Sequence, residues 1–480
     1  MPAGKVTMID TAAVPVCMQS LLLPFAACFT KPGYRNFVTL TLGWIACQGR
    51  HSISRIIQAA GACQTNHARL YRFLSRARWN CDAAGHIVFG LLLVLLDRDI
   101  IAIVDDTLCK KSGPHIFGAA MHHDACSSSY AKRSSASSKT FAFGHNWVVL
   151  AIWIPVPWNP HRGLAIPILF RLYRSKKRCP PKDYRKRTEL ADQLIKRLLD
   201  WLPPDRTLMV TADSEYACRT LLRHRQLRFT FVGPMSMNAA LYDLPVQSAG
   251  RGRKRVKGVR LPSPEKLENQ AAVPWSQVPV TIYGKSTAIL VKSQRCLWYT
   301  VTGTKPIRMV LTRDPKGRID DRAYFTTDPD MPIENILMSF AHRWEIEVAF
   351  RNNKQFMGLE DPQNGWWRRK TEEPAPKKTP GPNPHPTKGH DAIMHTFSMA
   401  LTAYAITILW YLFHGDHQKD VKRVLAEAPW YRHKKTPSFM DMIASCRRRL
   451  WSHRFSSTPA QNRVQQNISD FMPHWLLAAA

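Results

Sequence analysis

Three carboxylates have neighbours that could turn them to chemistry. Ile100-Ile-Ala-Ile-Val104 is a compact β-branched run that leads into Asp105-Asp106-Thr107, and Val210-Thr-Ala-Asp213 closes a second apolar run. An acid at the C-terminal end of a buried strand is rigidly held. Two such acids on neighbouring strands can share a divalent cation, which favours hard oxygen donors. The doublet leaves Asp105 and Asp106 both open as the first ligand, with Asp105 preferred because it directly follows the strand. Either aspartate alone would equally suit a helix cap, so a third element has to decide. Glu347 lies in Phe340-Ala-His-Arg343-Trp-Glu-Ile-Glu347-Val-Ala-Phe-Arg-Asn-Asn-Lys354, a helix-compatible stretch after Pro332. Positions seven and fourteen apart drift only ~20° and ~40° around a helix, so Phe340, Glu347 and Lys354 are expected on one face, with Arg343 a turn before Glu347. A carboxylate bracketed by two cations suits a third metal ligand with phosphate clamps beside it, although a surface ion-pair ladder has the same spacing.

Rigid elements must hold these acids. Trp147–Ile154, Leu164–Tyr173, Leu208–Ala212 and Phe229–Gly233 read as strands, with a helix over Thr188–Trp201 between the second and third. Strands alternating with helices predict an α/β layer fold around a buried sheet. Residues 1–95 read as helical. There Leu70, Phe73, Leu74 and Ala77 share one face while Arg69, Arg72 and Arg76 line another, as in a helix resting on a core and offering cations to phosphates. From 234 to 325 the character changes: a dense basic run, Arg251-Gly-Arg253-Lys254-Arg255-Val-Lys-Gly-Val-Arg260, precedes segments that alternate like antiparallel strands. Residues 374–385 are rich in Pro and Lys and read as a tether. The expected organisation is a helical N-terminal DNA-binding domain (1–95), a core in two parts (96–233 and 326–414) split by a β-rich insertion (234–325), and a helical basic tail (415–480).

The charge balance names a class of partner. Lys and Arg total 68 against 35 Asp and Glu, a formal net charge of +33 that calls for a polyanion. The 11 cysteines include no CxxC pair, which excludes a disulfide scaffold and points to reduced thiols. The N-terminus shows no signal-peptide pattern. Of two apolar runs, Ile87–Leu96 is too short to cross a bilayer, and Phe397–Phe413 carries Ser398, Thr402, Tyr404 and Thr407, so a buried core helix is expected and no membrane.

Together these motifs resemble bacterial insertion-sequence transposases of the DDE class, in the branch with a Tyr-x2-Arg-x3-Glu-x6-Lys signature. Arg343, Glu347 and Lys354 meet that register, with Phe340 where the family usually has Tyr. Asp105-Asp106-Thr107 with Lys110-Lys111-Ser112-Gly113 resembles the family's first acidic turn, and Ala212-Asp213-Ser-Glu-Tyr216 its second strand end. Asp213 and Glu347 stand 134 residues apart, which leaves room for the branch's β-rich insertion. Tyr71-Arg-Phe-Leu-Ser-Arg-Ala-Arg-Trp79, Gly250-Arg-Gly-Arg-Lys-Arg255 and Gly358-Leu-Glu-Asp-Pro-Gln363 extend the similarity to roughly residues 40–410.

The resemblance implies an RNase H-like core in which Asp105, Asp213 and Glu347 bind two Mg2+ or Mn2+ ions, Arg343 and Lys354 hold phosphates, and Arg69, Arg72, Arg76, Arg253, Lys254 and Arg255 contact DNA. It implies cleavage of transposon ends, 3′-hydroxyl strand transfer into target DNA, a homodimer on double-stranded DNA, and a bacterial cytoplasmic, nucleoid-associated setting. Trp298, like Trp275, falls in the insertion where the family stacks a ring on an unpaired base; core packing is the alternative for either. Trp366-Trp-Arg-Arg-Lys370 would follow a strand or simply dock a loop. His122-His123-Asp124 with Cys109, His115 and Cys126 matches no standard zinc spacing. The alternatives are an RNase H-like endonuclease that does not join, and a catalytically silent DNA-binding derivative. A phosphatase would need neither this charge nor the Arg/Glu/Lys helix.

Overall fold

A computed structural model describes residues 14–456, except 64–65, 98, 113–115, 125–139, 224–227, 247–253, 283–284, 318, 362–365, 369–377 and 381–385. In chain order come helices α1 (Val16–Leu22), α2 (Lys31–Ala46), α3 (Ile53–Ala59), α4 (His67–Ser75) and α5 (Cys81–Leu93). Strands β1 (Asp99–Lys110), β2 (Ala120–His123), β3 (Phe141–Val156) and β4 (Asn159–Tyr173) follow, then α6 (Arg187–Trp201). Next are β5 (Thr207–Ala212), β6 (Phe229–Met235), β7 (Ser276–Ile282), β8 (Lys285–Cys296), β9 (Ile307–Arg313) and β10 (Arg322–Thr326). The chain closes with α7 (Ile333–Ala341), α8 (Trp344–Phe356), α9 (Pro386–His414), α10 (His417–Glu427) and α11 (Phe439–Ser456). It divides into two compact units, one of residues 95–107 and 146–349, the other of 1–94, 108–145 and 350–480.

The first unit is the α/β part, built on a large mixed sheet. Its strands lie in the order β3-β1-β5-β6-β10-β9-β8-β7, with β4 also on β3. β1, β5 and β6 run parallel, and their side chains (Ile100, Ala102, Ile103, Val104, Val210, Phe231 and Val232) are fully buried. Continuous β-branched runs are what a strand covered on both faces requires. The strands β7 to β9 in the 234–325 segment extend this same sheet, because β10 pairs with both β9 and β6. α7 packs on one face, its Ile336 and Leu337 meeting Val232, Val278, Val280, Val291 and Val310. After β8 the alternating pattern stops at Trp298, where a short helical turn over Tyr299–Thr302 takes its place.

In the second unit α9 is the centre, packed by α1, α2, α4, α5 and α11. The helices that sequence placed in the N-terminal domain and in the tail share this one unit. Gly389–His414 is long and apolar enough to cross a membrane, but 94% of its most apolar window is buried among these helices. A core helix explains it. His395 of α9 is buried, its ring nitrogens face the carbonyl oxygens of Leu74 (2.9 Å) and Trp79 (3.2 Å), and it stacks on the Trp79 ring. Burial lowers its pKa, against the opposing pull of the two carbonyls.

In this same unit β2 pairs with the start of β3, and the end of β1 lies close beneath it. A Cβ added at Gly144 would come within 2.1 Å of the Cys109 carbonyl oxygen, which is backbone and has little freedom to yield. Gly144→Ala is therefore expected to destabilise the protein by about 1–3 kcal/mol, read as a lower denaturation midpoint in urea; an unchanged midpoint would show that the backbone there gives way at little cost.

Candidate active site

The site begins with a register. β1 and β5 pair in parallel, and their last paired rung is Val104↔Ala212, so Asp105 and Asp213 follow side by side on adjacent strands. Neighbouring strands lie ~4.8 Å apart, which places the two acids at one edge position of the sheet. The strands differ in what comes next. β5 stops, and Asp213 caps the turn Ser214–Tyr216, its carboxylate accepting from the Ser214 N–H at 2.7 Å. β1 does not stop. Sequence placed Asp105 at the end of its strand, but β1 continues to Lys110, because β3 remains its neighbour and the ladder goes on to Lys111, whose N–H donates to the Phe143 carbonyl.

The glutamate helix also departs from expectation. Phe340, Glu347 and Lys354 are not on one continuous helix, because α7 ends at Ala341 and α8 begins at Trp344. Tight backbone bonds mark the break: Arg343 N–H to Phe340 O, Glu345 N–H to His342 O and Ile346 N–H to Arg343 O. His342 is held in the break by stacking on Trp153 at 4.0 Å, and burial takes its pKa down to about 4. Phe340 packs against Tyr324 and lies 5.7 Å beneath the Arg343 guanidinium. The ring thus supports the arginine through its face, a role that needs no hydroxyl.

From the break, Arg343 reaches two acids at once. Its Nη1 donates to Asp105 Oδ2 at 3.0 Å and its Nη2 pairs with Glu347 Oε1 at 2.9 Å. Asp105 and Arg343 side chains are only 15% and 17% exposed, so the pair sits where charge is costly. Burial pushes the Asp105 carboxyl up to about 7; Arg343 opposes the rise, while Asp106 and Glu347 add to it. Arg343 itself is raised despite its burial, by Asp105, Glu347 and Asp213 in that order. Asp213 therefore lies within the field of the same guanidinium.

Side chains alternate along a strand, so Asp106 faces the other way. It accepts from Asn146 Nδ2 at 2.9 Å and from Tyr216 Oη at 3.5 Å, and pairs with Arg187 Nη1 at 3.3 Å. Arg187 opens α6, and it also binds Glu215 through Nε and Nη2 at 2.9 and 2.8 Å. Asp106 follows Asp105, and Glu215 lies two residues after Asp213. One arginine on the back of the sheet therefore ties together the chain segments that carry both front-face aspartates. Geometry separates the doublet: Asp105 shares the Arg343 guanidinium with Glu347, and Asp106 shares Arg187 with Glu215. Sequence reasoning missed Arg187, Glu215 and Asn146. The alternation of a doublet across a strand was the available signal for a second partner set.

Other residues singled out by sequence lie elsewhere. Lys354 belongs to the helical unit, where its amine donates to the Leu108 carbonyl at 2.7 Å and pairs with Glu360. Arg69 and Arg72 are exposed on α4 while Leu70, Phe73 and Leu74 are buried; Arg76, also exposed, is the residue that caps the helix end. Lys254 and Arg255 are exposed, and Arg253 lies outside the described residues. Trp298 is 8% exposed and meets Phe325 edge-on, a core position rather than one that offers a face to a base. Trp275 is flanked by Arg313 and Lys292 at 4.3 and 4.8 Å. His115 and Cys126 lie outside the described residues, as do the side chains of 366–370.

Among the described residues, no three His, Cys, Asp or Glu side chains are gathered as metal ligands. Yet the donor set fits a hard cation. Asp105 and Glu347 present carboxylate oxygens to one positive group, and the guanidinium of Arg343 stands where that charge is required. Residues 24–300 match the sequence pattern of the family described as DDE superfamily endonuclease. A comparison with curated proteins finds no match.

Two measurements check this geometry. A carboxyl whose folded pKa lies above its unfolded value of ~3.9 takes up a proton on folding, so its contribution to stability is present at acid pH and is lost as pH rises toward the folded value. Stability measured in metal-free buffer should therefore favour Asp105→Asn over wild type increasingly from pH 5 to about 7, by roughly 1.4 kcal/mol per pH unit at most, and level off above; a flat difference contradicts the raised pKa. Arg187→Met should cost about 1–3 kcal/mol by leaving Asp106 and Glu215 without their shared cation, and adding Glu215→Gln should restore part of that loss in denaturant melts.

Proposed function

The chain belongs to the DDE superfamily endonuclease family, and from that premise we propose that it is a DNA transposase that cuts transposon ends and joins them to target DNA. The observation that carries this reading is the single guanidinium shared by Asp105 and Glu347 beside the rung that sets Asp105 next to Asp213. On an RNase H-like core, Asp105, Asp213 and Glu347 would hold two Mg2+ or Mn2+ ions. Such ions, when bound, activate the attacking oxygen and stabilise the leaving one.

The chain's own residues do the rest. Arg343 pairs with Asp105 and Glu347. Its planar fork suits a phosphate as well as a carboxylate, so the same guanidinium would hold the DNA backbone beside the acids. Lys354, which pairs with Glu360 in the helical unit, is proposed as a DNA phosphate contact. Asp106, Arg187 and Glu215 keep the two aspartate-bearing segments in register from behind. DNA contacts are assigned to exposed Arg69, Arg72 and Arg76 in one unit and to Lys254 and Arg255 in the other, consistent with the formal +33 charge. Water attack at the transposon end frees a 3′-hydroxyl; that hydroxyl then attacks a target phosphodiester, forming one new P–O bond as the target's own 3′-oxygen leaves. Because two ends must be joined together, a homodimer assembled on DNA is part of the proposal.

The test uses supercoiled plasmid carrying the element's ends, and separately pre-cut ends, with Mg2+, Mn2+ or EDTA. Wild type should cleave and join, and Glu347→Gln should lose both by more than ~100-fold, beyond what loss of an outer-shell partner costs. Cleavage with no joining of pre-cut ends would favour an endonuclease. End binding without cleavage would favour a silent DNA-binding derivative.

A further inference from the structure

We infer that the connection between α10 and α11 is a binding site for unpaired DNA. It spans residues 428–438, outside the matched family region. Two large rings are displayed there: Trp430 is 71% and Tyr431 56% exposed, among the most exposed aromatic side chains described. Their centroids are 6.1 Å apart at 48°, so the rings do not stack on each other and each keeps a face to offer. Exposed Arg432, His433 and Lys435 follow directly, and the stretch from Ala428 to Met440 contains no acidic residue.

The connection is built rather than slack. Tyr431 N–H donates to Ala428 O at 3.0 Å and Lys434 N–H to Tyr431 O at 2.9 Å, two successive turns that present the rings. Lys434 is drawn inward to Asp441 at 2.7 Å, and the same carboxylate accepts from the Ser438 N–H and hydroxyl at 2.6 and 2.7 Å. Asp441 is 9% exposed, so the anchor is buried while the rings and the remaining cations point outward.

The charge selects the partner and the rings select its form. Cations without acids attract a polyanion. An exposed aromatic face can stack only on a base that has left the duplex, because paired bases bury their faces against each other; one ring per base with flanking cations is the recurring design for single strands. The inference rests on the reading of this chain as a DNA-processing enzyme. Flanking or displaced single strand near a cut end is the DNA that the site would hold.

The experiment is fluorescence anisotropy on the full chain in EDTA, with labelled oligo-dT and a labelled hairpin duplex of equal nucleotide count. Trp430→Ala and Tyr431→Ala should each weaken oligo-dT binding by about 5- to 50-fold and leave the duplex nearly unchanged. Trp430→Phe should retain most of the affinity, and Arg432→Ala/Lys435→Ala should flatten the salt dependence on oligo-dT by about one to two released ions. Equal affinities of wild type and the ring variants for oligo-dT, with thermal melts unchanged, would overturn the inference while leaving the DNA-processing reading intact. Wild type binding neither DNA would overturn both. Loss of binding to vesicles of phosphatidylcholine with one-third phosphatidylserine, with oligo-dT binding unchanged, would assign the rings to a membrane surface and overturn it too.

Discussion

Carboxylates brought together at a half-dry sheet edge repel one another, and each resists ionisation until a cation is supplied. The parallel pairing of β1 with β5 brings Asp105 beside Asp213, and α8 brings Glu347 to the same face. Arg343 relieves the conflict by reaching Asp105 and Glu347 together. At the break between α7 and α8 it lies over Phe340, with His342 stacked on Trp153. Even so, burial leaves the Asp105 carboxyl near 7 despite Arg343. A buried acidic site short of positive charge is prepared for cations.

The back of the sheet repeats the motif. Asp106 and Glu215 share Arg187 as Asp105 and Glu347 share Arg343, so each face of β1 carries an arginine between two acids. The two sets differ in purpose by their surroundings. Arg187 is at the first residue of α6, where the helix dipole disfavours a cation, and the two acids outweigh that cost. Asn146 and Tyr216 complete the Asp106 partners, which leaves this carboxylate fully engaged in holding strands. Specificity between adjacent, chemically identical aspartates thus comes from strand alternation alone.

Much of this was legible in the amino-acid order. β-branched runs ending in acids located β1 and β5, and the apolar, Ser/Thr-bearing stretch at 397–413 correctly read as a buried helix. Local patterns also placed Leu70, Phe73 and Leu74 inward and the arginines of α4 outward. What sequence could not show depends on distant partners. β1 runs past Asp105 because β3 accompanies it, and nothing within β1 records that. The helix break lies in a stretch of good helix formers and is imposed by tertiary contacts of His342 and Arg343. The resemblance offers Trp298 for base stacking, with core packing as the alternative, and a lone tryptophan carries no sign of which applies; the structure places it in the core. The Arg187 clasp links residues 106, 146, 187 and 215, which no spacing rule connects.

The proposed function requires that Asp105, and not Asp106, act with Glu347 on one face of the sheet. The most direct measurement is calorimetric titration of Mn2+ into wild type, Asp105→Asn and Asp106→Asn at pH 8, where the Asp105 carboxyl is ionised. Asp105→Asn should abolish binding, whereas Asp106→Asn, which loses only a supporting partner, should weaken it by about tenfold. Mn2+ binding that survives in Asp105→Asn and vanishes in Asp106→Asn would contradict the arrangement and move the site to the other face of the sheet.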